Sequence, residues 1–148
     1  MPGPLSGITI LDFTWALAGP YGTMVMADMG ADVWKIETVF QNEQRRGGGP
    51  YVHGVSTYFF SVNRGKKSVM LDLKSPEVKQ VIYDLVPHVD VVNENFQPGT
   101  MKKLGFDYET LSKLNPRLIY ASTSGFGQTG PYAERGAVDI IAQGMSGM

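Results

Sequence analysis

The chain has no cysteine, which excludes disulfides, thiolate metal sites and a thiol nucleophile. It also has no surplus of cations: 13 Lys and Arg stand against 14 Asp and Glu, for a net charge of -1. A nucleic-acid binder shows a clear cationic excess, so that class of partner is not expected, while a local cationic pocket remains compatible. No apolar run approaches the roughly 18 residues of a membrane span. The opening Met1-Pro2-Gly3-Pro4 lacks the basic and apolar segments of a signal peptide. These absences set the expectation of a soluble, cytoplasmic protein with no membrane partner. His53 and His88 are isolated, without Glu or His at ligand spacing, so no metal is expected. Neither a G-x-S-x-G elbow nor a P-loop occurs.

What is present is the composition of a globular chain, 43% hydrophobic and 18% charged, and 148 residues suffice for one core. Short β-branched runs alternate with helical patches. Ile8 to Phe13 reads as a strand, Pro20 to Met29 as a helix closed by Gly30, and Ala31 to Glu37 as a second strand. Together they make a βαβ unit. Thr38 to Ser56 reads as a long polar loop containing Arg45-Arg46-Gly47-Gly48-Gly49-Pro50. Ser68 to Leu73 is a third strand. Ser75-Pro76-Glu77 starts a helix with apolar stripe Val78, Val81, Ile82 and Leu85. Val89 to Val92 and Leu118 to Ser122 complete the strands, with a short Asp107-capped helix, Tyr108 to Leu114, between them. The alternation predicts an α/β fold, an open and mostly parallel sheet with helices on its faces.

Ligands of such sheets bind beyond the carboxyl ends of the strands. The loops there are Thr14 to Gly19, Thr38 to Gly49, Leu73 to Ser75, Asn93 to Gly99 and Ser124 to Asp139. Gly125-Phe126-Gly127-Gln128-Thr129-Gly130 matches G-x-G-x-x-G, but it follows the last strand and leads into no apolar helix, so a turn-rich loop is expected. The basic turn Arg64-Gly65-Lys66-Lys67, with Lys74, offers charge-assisted donors for phosphates or else a solvated connection. Trp15, Trp34, Phe59 and Phe60 read as core or pocket wall, and Asp12 and Asp72 as strand-end turn residues. Asp139 to Met148 reads as a helix with no closing cap, which suggests a chain that continues.

Nine phrases in order carry a family resemblance. They include Leu11-Asp12-Phe13, Ala18-Gly19-Pro20, Asp28-Met29-Gly30-Ala31-Asp32-Val33, Asn63-Arg64-Gly65-Lys66-Lys67-Ser68 and Leu71-Asp72-Leu73-Lys74. Further along come Glu94-Asn95-Phe96, Asn115-Pro116-Arg117-Leu118-Ile119-Tyr120 and Ser124 to Pro131. Over nearly its whole length the chain resembles the family III CoA-transferases, the group that includes formyl-CoA transferase, carnitine CoA-transferase and α-methylacyl-CoA racemase. The resemblance implies a Rossmann-like large domain, of which residues 1–148 would be an incomplete CoA-binding portion, and an intertwined homodimer. It implies acyl-CoA and a carboxylic acid as substrates, with no cofactor beyond the CoA thioester itself. By position, the CoA-contacting residues would be Leu17, Ala18, Leu71, Asp72, Leu73, Lys74, Asn95, Phe96, Gln97, Lys103, Gly136, Ala137, Val138 and Asp139.

The family mechanism the resemblance implies is nucleophilic: an Asp, placed shortly after the segment ending at Met148, forms an acyl-aspartyl anhydride. Three departures bear on it. The racemase branch has an acid/base His where this chain has Val138. The formyl-CoA and oxalate branch has polar residues where this chain has Trp15-Ala16-Leu17, which suggests a bulkier or more apolar acyl group. A CoA-binding Arg of the family corresponds to Thr38. Two alternatives stand beside the transferase: a racemase of the same family, and a non-catalytic CoA- or nucleotide-binding protein.

Overall fold

The computed structural model describes residues 2–38 and 48–148. Five strands, β1 (Thr9–Asp12), β2 (Asp32–Thr38), β5 (Lys67–Leu71), β6 (Val91–Glu94) and β7 (Ile119–Ser122), form one sheet in the order β5-β2-β1-β6-β7. Every adjacent pair is parallel. The chain runs outward from β1 through β2 to β5, then returns to lay β6 against the other side of β1. The direction of winding therefore reverses between β1 and β6, and this is where an open α/β sheet leaves a crevice.

The central strands carry apolar side chains on both faces, as strands buried on both sides must. On one face Ile10, Ala31 and Val33 pack against Met26 and Ala27 of α1 (Ala18–Asp28). On the other, Leu11, Phe13, Ile36 and Val92 pack with Ile82 of α3 (Pro76–Leu85) and with Val86, Phe106 and Leu111. The Phe13 and Phe106 rings stack there, with centroids 5.9 Å apart. Helices thus cover both faces, as the sequence predicts.

Helix boundaries follow their caps. α1 ends in a Schellman arrangement, with Gly30 N–H donating to Ala27 O (2.9 Å) and Ala31 N–H to Met26 O (3.0 Å). Gly30 adopts φ +100°, a conformation that a side chain would strain. α3 starts where Ser75 Oγ accepts from Val78 N–H at 3.4 Å. Ile82 is buried and Val78 half-buried on the core side, as the expected stripe has them, while Val81 is 46% exposed and Val86, just past the helix, is buried instead. The helix capped by Asp107, α5 (Tyr108–Leu111), stops short of Leu114.

Other differences lie in short elements. The expected loop from Thr38 to Ser56 contains the last residue of β2 and a hairpin, β3 (Tyr51–Val52) and β4 (Val55–Ser56). His53 and Gly54 at its tip both have positive φ, the two-residue turn that matches strand twist. Arg45 and Arg46 lie outside the described residues. α2 (Thr57–Asn63) and α4 (Thr100–Leu104) are single short helices without an apolar period of their own. Phe60, on α2, is exposed rather than core or pocket wall. No helix among the described residues is long and apolar enough to cross a membrane.

The basic turn before β5 divides: Arg64 and Lys67 lie at the surface, as a solvated connection would have them, while Lys66 turns inward. Lys66 Nζ is buried and gives three hydrogen bonds, to Asp12 Oδ2 (3.0 Å), Pro20 O (2.8 Å) and Asn63 Oδ1 (2.9 Å). Asp12, fully buried, also accepts from Thr14 N–H (3.0 Å), Thr14 Oγ1 (2.5 Å) and Thr23 Oγ1 (2.7 Å). Arg64 pairs with Asp28 and Lys67 with Asp32 at the surface. The Lys67 hydrogen bond holds the Asp32 carboxyl below its usual range.

Removing one member of a buried ion pair strands the other charge. Lys66→Met should therefore lower unfolding stability by about 3–5 kcal/mol, read from denaturant titration. Lys67→Met, at a surface pair, should cost less than about 1 kcal/mol.

Candidate functional site

The Asp12 network extends upward into the loop after β1. With Thr14 N–H and Oγ1 bound to Asp12, and Thr14 O receiving the buried Lys35 Nζ at 2.6 Å, the backbone leaving β1 has one available course. Phe13 N–H still pairs with Asn93 O across the switch point (2.8 Å). Beyond it the two strand ends diverge, and a side chain takes over. Asn95 Oδ1 accepts from Trp15 N–H and Asn95 Nδ2 donates to Trp15 O, each at 2.8 Å. Ala16 follows at φ +62°, an uncommon conformation for a residue with a Cβ. Gly19 then approaches Thr14 so closely that a Cβ there would lie 2.4 Å from the Thr14 Cβ.

The β6 side is braced from below. Buried Glu94 accepts from Phe96 N–H at 2.8 Å and from Ser122 Oγ on β7. Tyr120, on the next strand, donates its hydroxyl to Phe106 O at 2.9 Å. Burial above all, then the charges of Glu94, Asp107 and Glu109, pushes that hydroxyl well above the usual tyrosine range, so it remains a proton donor.

These supports frame a cleft of about 400 Å³ between the β6 and β7 loops and the start of α6 (Asp139–Ser146). Trp15, Asn95, Phe96, Gln97 and Pro98 form one wall; Ser124, Gly125, Gly136, Ala137, Val138 and Ile141 form the other, with Arg135 beside them. Trp15 and Phe96 also line a smaller cavity of about 30 Å³ at the ends of β1 and β2, with Phe13, Thr14, Ile36, Glu37 and Thr38.

Six of the residues expected to contact a ligand therefore meet in one place: Asn95, Phe96, Gln97, Gly136, Ala137 and Val138. The Asn95 amide is already engaged with Trp15, which makes it a positioning group. Asp139 is the first residue of α6 and accepts from Gln143 Nε2 at 2.5 Å. Leu17 and Ala18 are exposed at the start of α1, next to the cleft loop but not lining it. Leu71, Asp72, Leu73 and Lys74 sit at the end of β5, beyond β2 from β1. There Asp72 Oδ1 accepts from Lys74 N–H at 3.0 Å, the expected turn role. Leu73 is buried in the core, and Lys74 is exposed. Lys103 is exposed on α4 and does not line the cleft. The glycine-rich run from Gly125 to Gly130 is a turn-rich loop after β7, as expected.

Sequence reasoning missed Arg135 and Ile141 as lining residues. Arg135 lay in plain view as a cation within a strand-end loop. Among the described residues, no group of His, Asp and Glu is placed to hold a metal ion.

Residues 5–148 match CoA-transferase family III. The chain belongs to that family. It is 50% identical over 146 residues to an acetyl-CoA:oxalate CoA-transferase from Acetobacter aceti, covering 99% of this chain and 38% of that protein. It is 44% identical to a succinyl-CoA:glutarate CoA-transferase from Mus musculus, covering 98% of this chain and 34% of that one. A crystal structure of a CaiB/BaiF family protein from Brucella suis superimposes with a TM-score of 0.92 at 42% identity, over 99% of this chain and 40% of its own. The chain thus spans between about a third and two fifths of the length of these family III relatives.

Asn95→Ala removes both bonds to Trp15. It should lower stability by about 1–3 kcal/mol and raise acrylamide quenching of Trp15 in a Trp34→Phe background. Unchanged quenching would show that the loop is held by other contacts.

Proposed function

We propose that this family III chain forms the CoA-binding part of an enzyme that moves CoA between an acyl-CoA and a carboxylic acid. The observation that carries the reading is the cleft beside the sheet's switch point, lined by the family-matched residues Asn95 to Gln97 and Gly136 to Val138. The acyl thioester would enter between these walls. Leu17, Ala18, Leu71, Asp72, Lys74, Lys103 and Asp139 would contact outlying parts of CoA, with exposed Lys74 and Lys103 facing phosphates. Trp15, Phe96 and Val138 would exclude water from the reacting carbonyl. No cofactor is needed beyond the CoA thioester.

The chemistry follows from a covalent carboxylate, which is assigned to no residue of this chain. An Asp carboxylate oxygen attacks the thioester carbonyl, the C–S bond breaks, and an acyl-aspartyl anhydride and CoA thiolate result. The thiolate attacks the aspartyl carbonyl, releasing the first acid and leaving an enzyme–CoA thioester. The acceptor carboxylate attacks that thioester, and the freed thiolate then takes the new acyl group, regenerating the carboxylate. The relatives' acceptors, oxalate and glutarate, support a small dicarboxylic acid. The apolar Trp15 wall suits an acceptor with a hydrocarbon spacer, such as glutarate, better than oxalate. Racemisation is the weaker reading, because Val138 offers no proton-transfer group at the cleft wall.

We further propose a cytoplasmic, intertwined homodimer. Leu17, Tyr21, Val25 and Met29 recur every four residues along α1 and are exposed, the pattern of a helix face covered by other polypeptide.

The full-length protein, given acetyl-CoA or succinyl-CoA and a C2–C5 dicarboxylic acid, should yield the exchanged CoA thioester by mass spectrometry. Thioester hydrolysis alone, or CoA binding without product, would favour the non-catalytic alternative.

A further inference from the structure

Among the described residues, the walls of the cleft carry one formal charge. It is that of Arg135; the other lining residues are apolar, glycine, or neutral polar. Lys74 and Lys103, both exposed, do not line the cleft, and four further cations are committed elsewhere. Lys66 pairs with Asp12, Lys35 binds Thr14 O, and Lys67 and Arg64 hold Asp32 and Asp28. Arg135 itself makes no ion pair among the described residues. Its guanidinium lies over the Tyr132 ring, 4.4 Å from the centroid, and Tyr132 in turn meets Phe126 edge-on at 5.7 Å. Stacking of this kind fixes the plane of a guanidinium and leaves its N–H edge free to donate.

A second donor lies beside it. Gln97 Nε2 comes within 3.3 Å of where a Gly136 side chain would begin, so the Gln97 amide lies against the residue that follows Arg135. Trp15, Phe96 and Ile141 line the same cleft, carbon surfaces suited to methylene groups. A planar cation, a neutral donor and an apolar wall describe a site for a short hydrocarbon ending in a carboxylate. The volume of about 400 Å³ suits a small acid. The phosphates of CoA carry several negative charges and would call for more than one cation.

We infer that Arg135 is the specificity residue for the acid substrate, binding the carboxylate of a dicarboxylic acid that does not react, with Gln97 assisting. The inference rests on the CoA-transfer reading and adds to it the group that selects the acceptor.

The test is steady-state transfer by the full-length protein and its Arg135→Gln and Arg135→Lys variants, with a dicarboxylic acid and with the monocarboxylic acid of equal carbon number as acceptors. Arg135→Gln should raise KM for the dicarboxylic acid roughly 10- to 100-fold, the loss of one charge-assisted contact. KM for the acyl-CoA and for the monocarboxylic acid should stay within about twofold of the parent, a scale well below the roughly tenfold step of one lost interaction. Arg135→Lys, which keeps the charge without the planar fork, should fall between. The inference is overturned if KM for the acyl-CoA rises instead, which would assign Arg135 to a CoA phosphate, or if both acids weaken equally. Absence of transfer by the parent protein would overturn the functional reading itself, a result distinct from either.

Discussion

The buried contact between Asp12 and Lys66 is the constraint on which the rest of this structure depends. Its two charges join the end of β1, the first two turns of α1 through Pro20 and Thr23, and the end of α2 through Asn63. Lys66 spends all three of its protons, and the carboxylate receives four donors, so neither ion is left short of partners within the chain. A hydrophobic pair of similar volume would fill the same space. It would not specify where the loop after β1 turns, because Thr14 is directed by the same carboxylate that Lys66 neutralises.

From that loop the organisation of the site follows in short steps. Thr14 fixes the exit from β1, and Trp15 meets Asn95 across the gap where the strands part. Glu94, one residue before Asn95, ties the neighbouring backbone to Ser122 on β7. Three strand ends are thereby braced against one another by buried polar groups, with the cleft on top. The crevice is framed by hydrogen bonds within the chain itself, which cross-link the ends of β1, β6 and β7.

The repeating parts of this fold were legible from the residues. Strands such as Ile10-Leu11 and Val91-Val92 are apolar on both faces, and helix ends at Gly30, Ser75 and Asp107 carry strong local caps. Six of the residues that the resemblance put forward as CoA contacts line one cleft, though the resemblance did not say that they would meet. What was not legible depends on contacts distant in sequence. Lys66 and Asp12 lie 54 positions apart, and nothing in the run Arg64-Gly65-Lys66-Lys67 distinguishes the buried lysine from its exposed neighbours. Val81 and Ile82 are equivalent by periodicity, and only the direction of the sheet decides which is covered. The hairpin at His53-Gly54 has two-residue strands, too short for an alternating pattern to register. Arg135 escaped because its loop has no period, and its position follows from where β7 ends and α6 begins.

The Asn95–Trp15 bridge has one more effect on the molecule. Between paired strands, separation is dictated by the backbone and is the same in every sheet. Past the last backbone pair at Phe13 and Asn93, the distance from one strand end to the other is set by the reach of an asparagine side chain, whose amide stands in for a missing peptide. The wall that Trp15 and Asn95 share is therefore held by a single side-chain amide rather than by the sheet. The side chains of that wall, Trp15 and Phe96, can change in bulk or polarity while the amide that joins the two strand ends stays in place, so the lining of the cleft and the spacing of the β1 and β6 ends are separately adjustable.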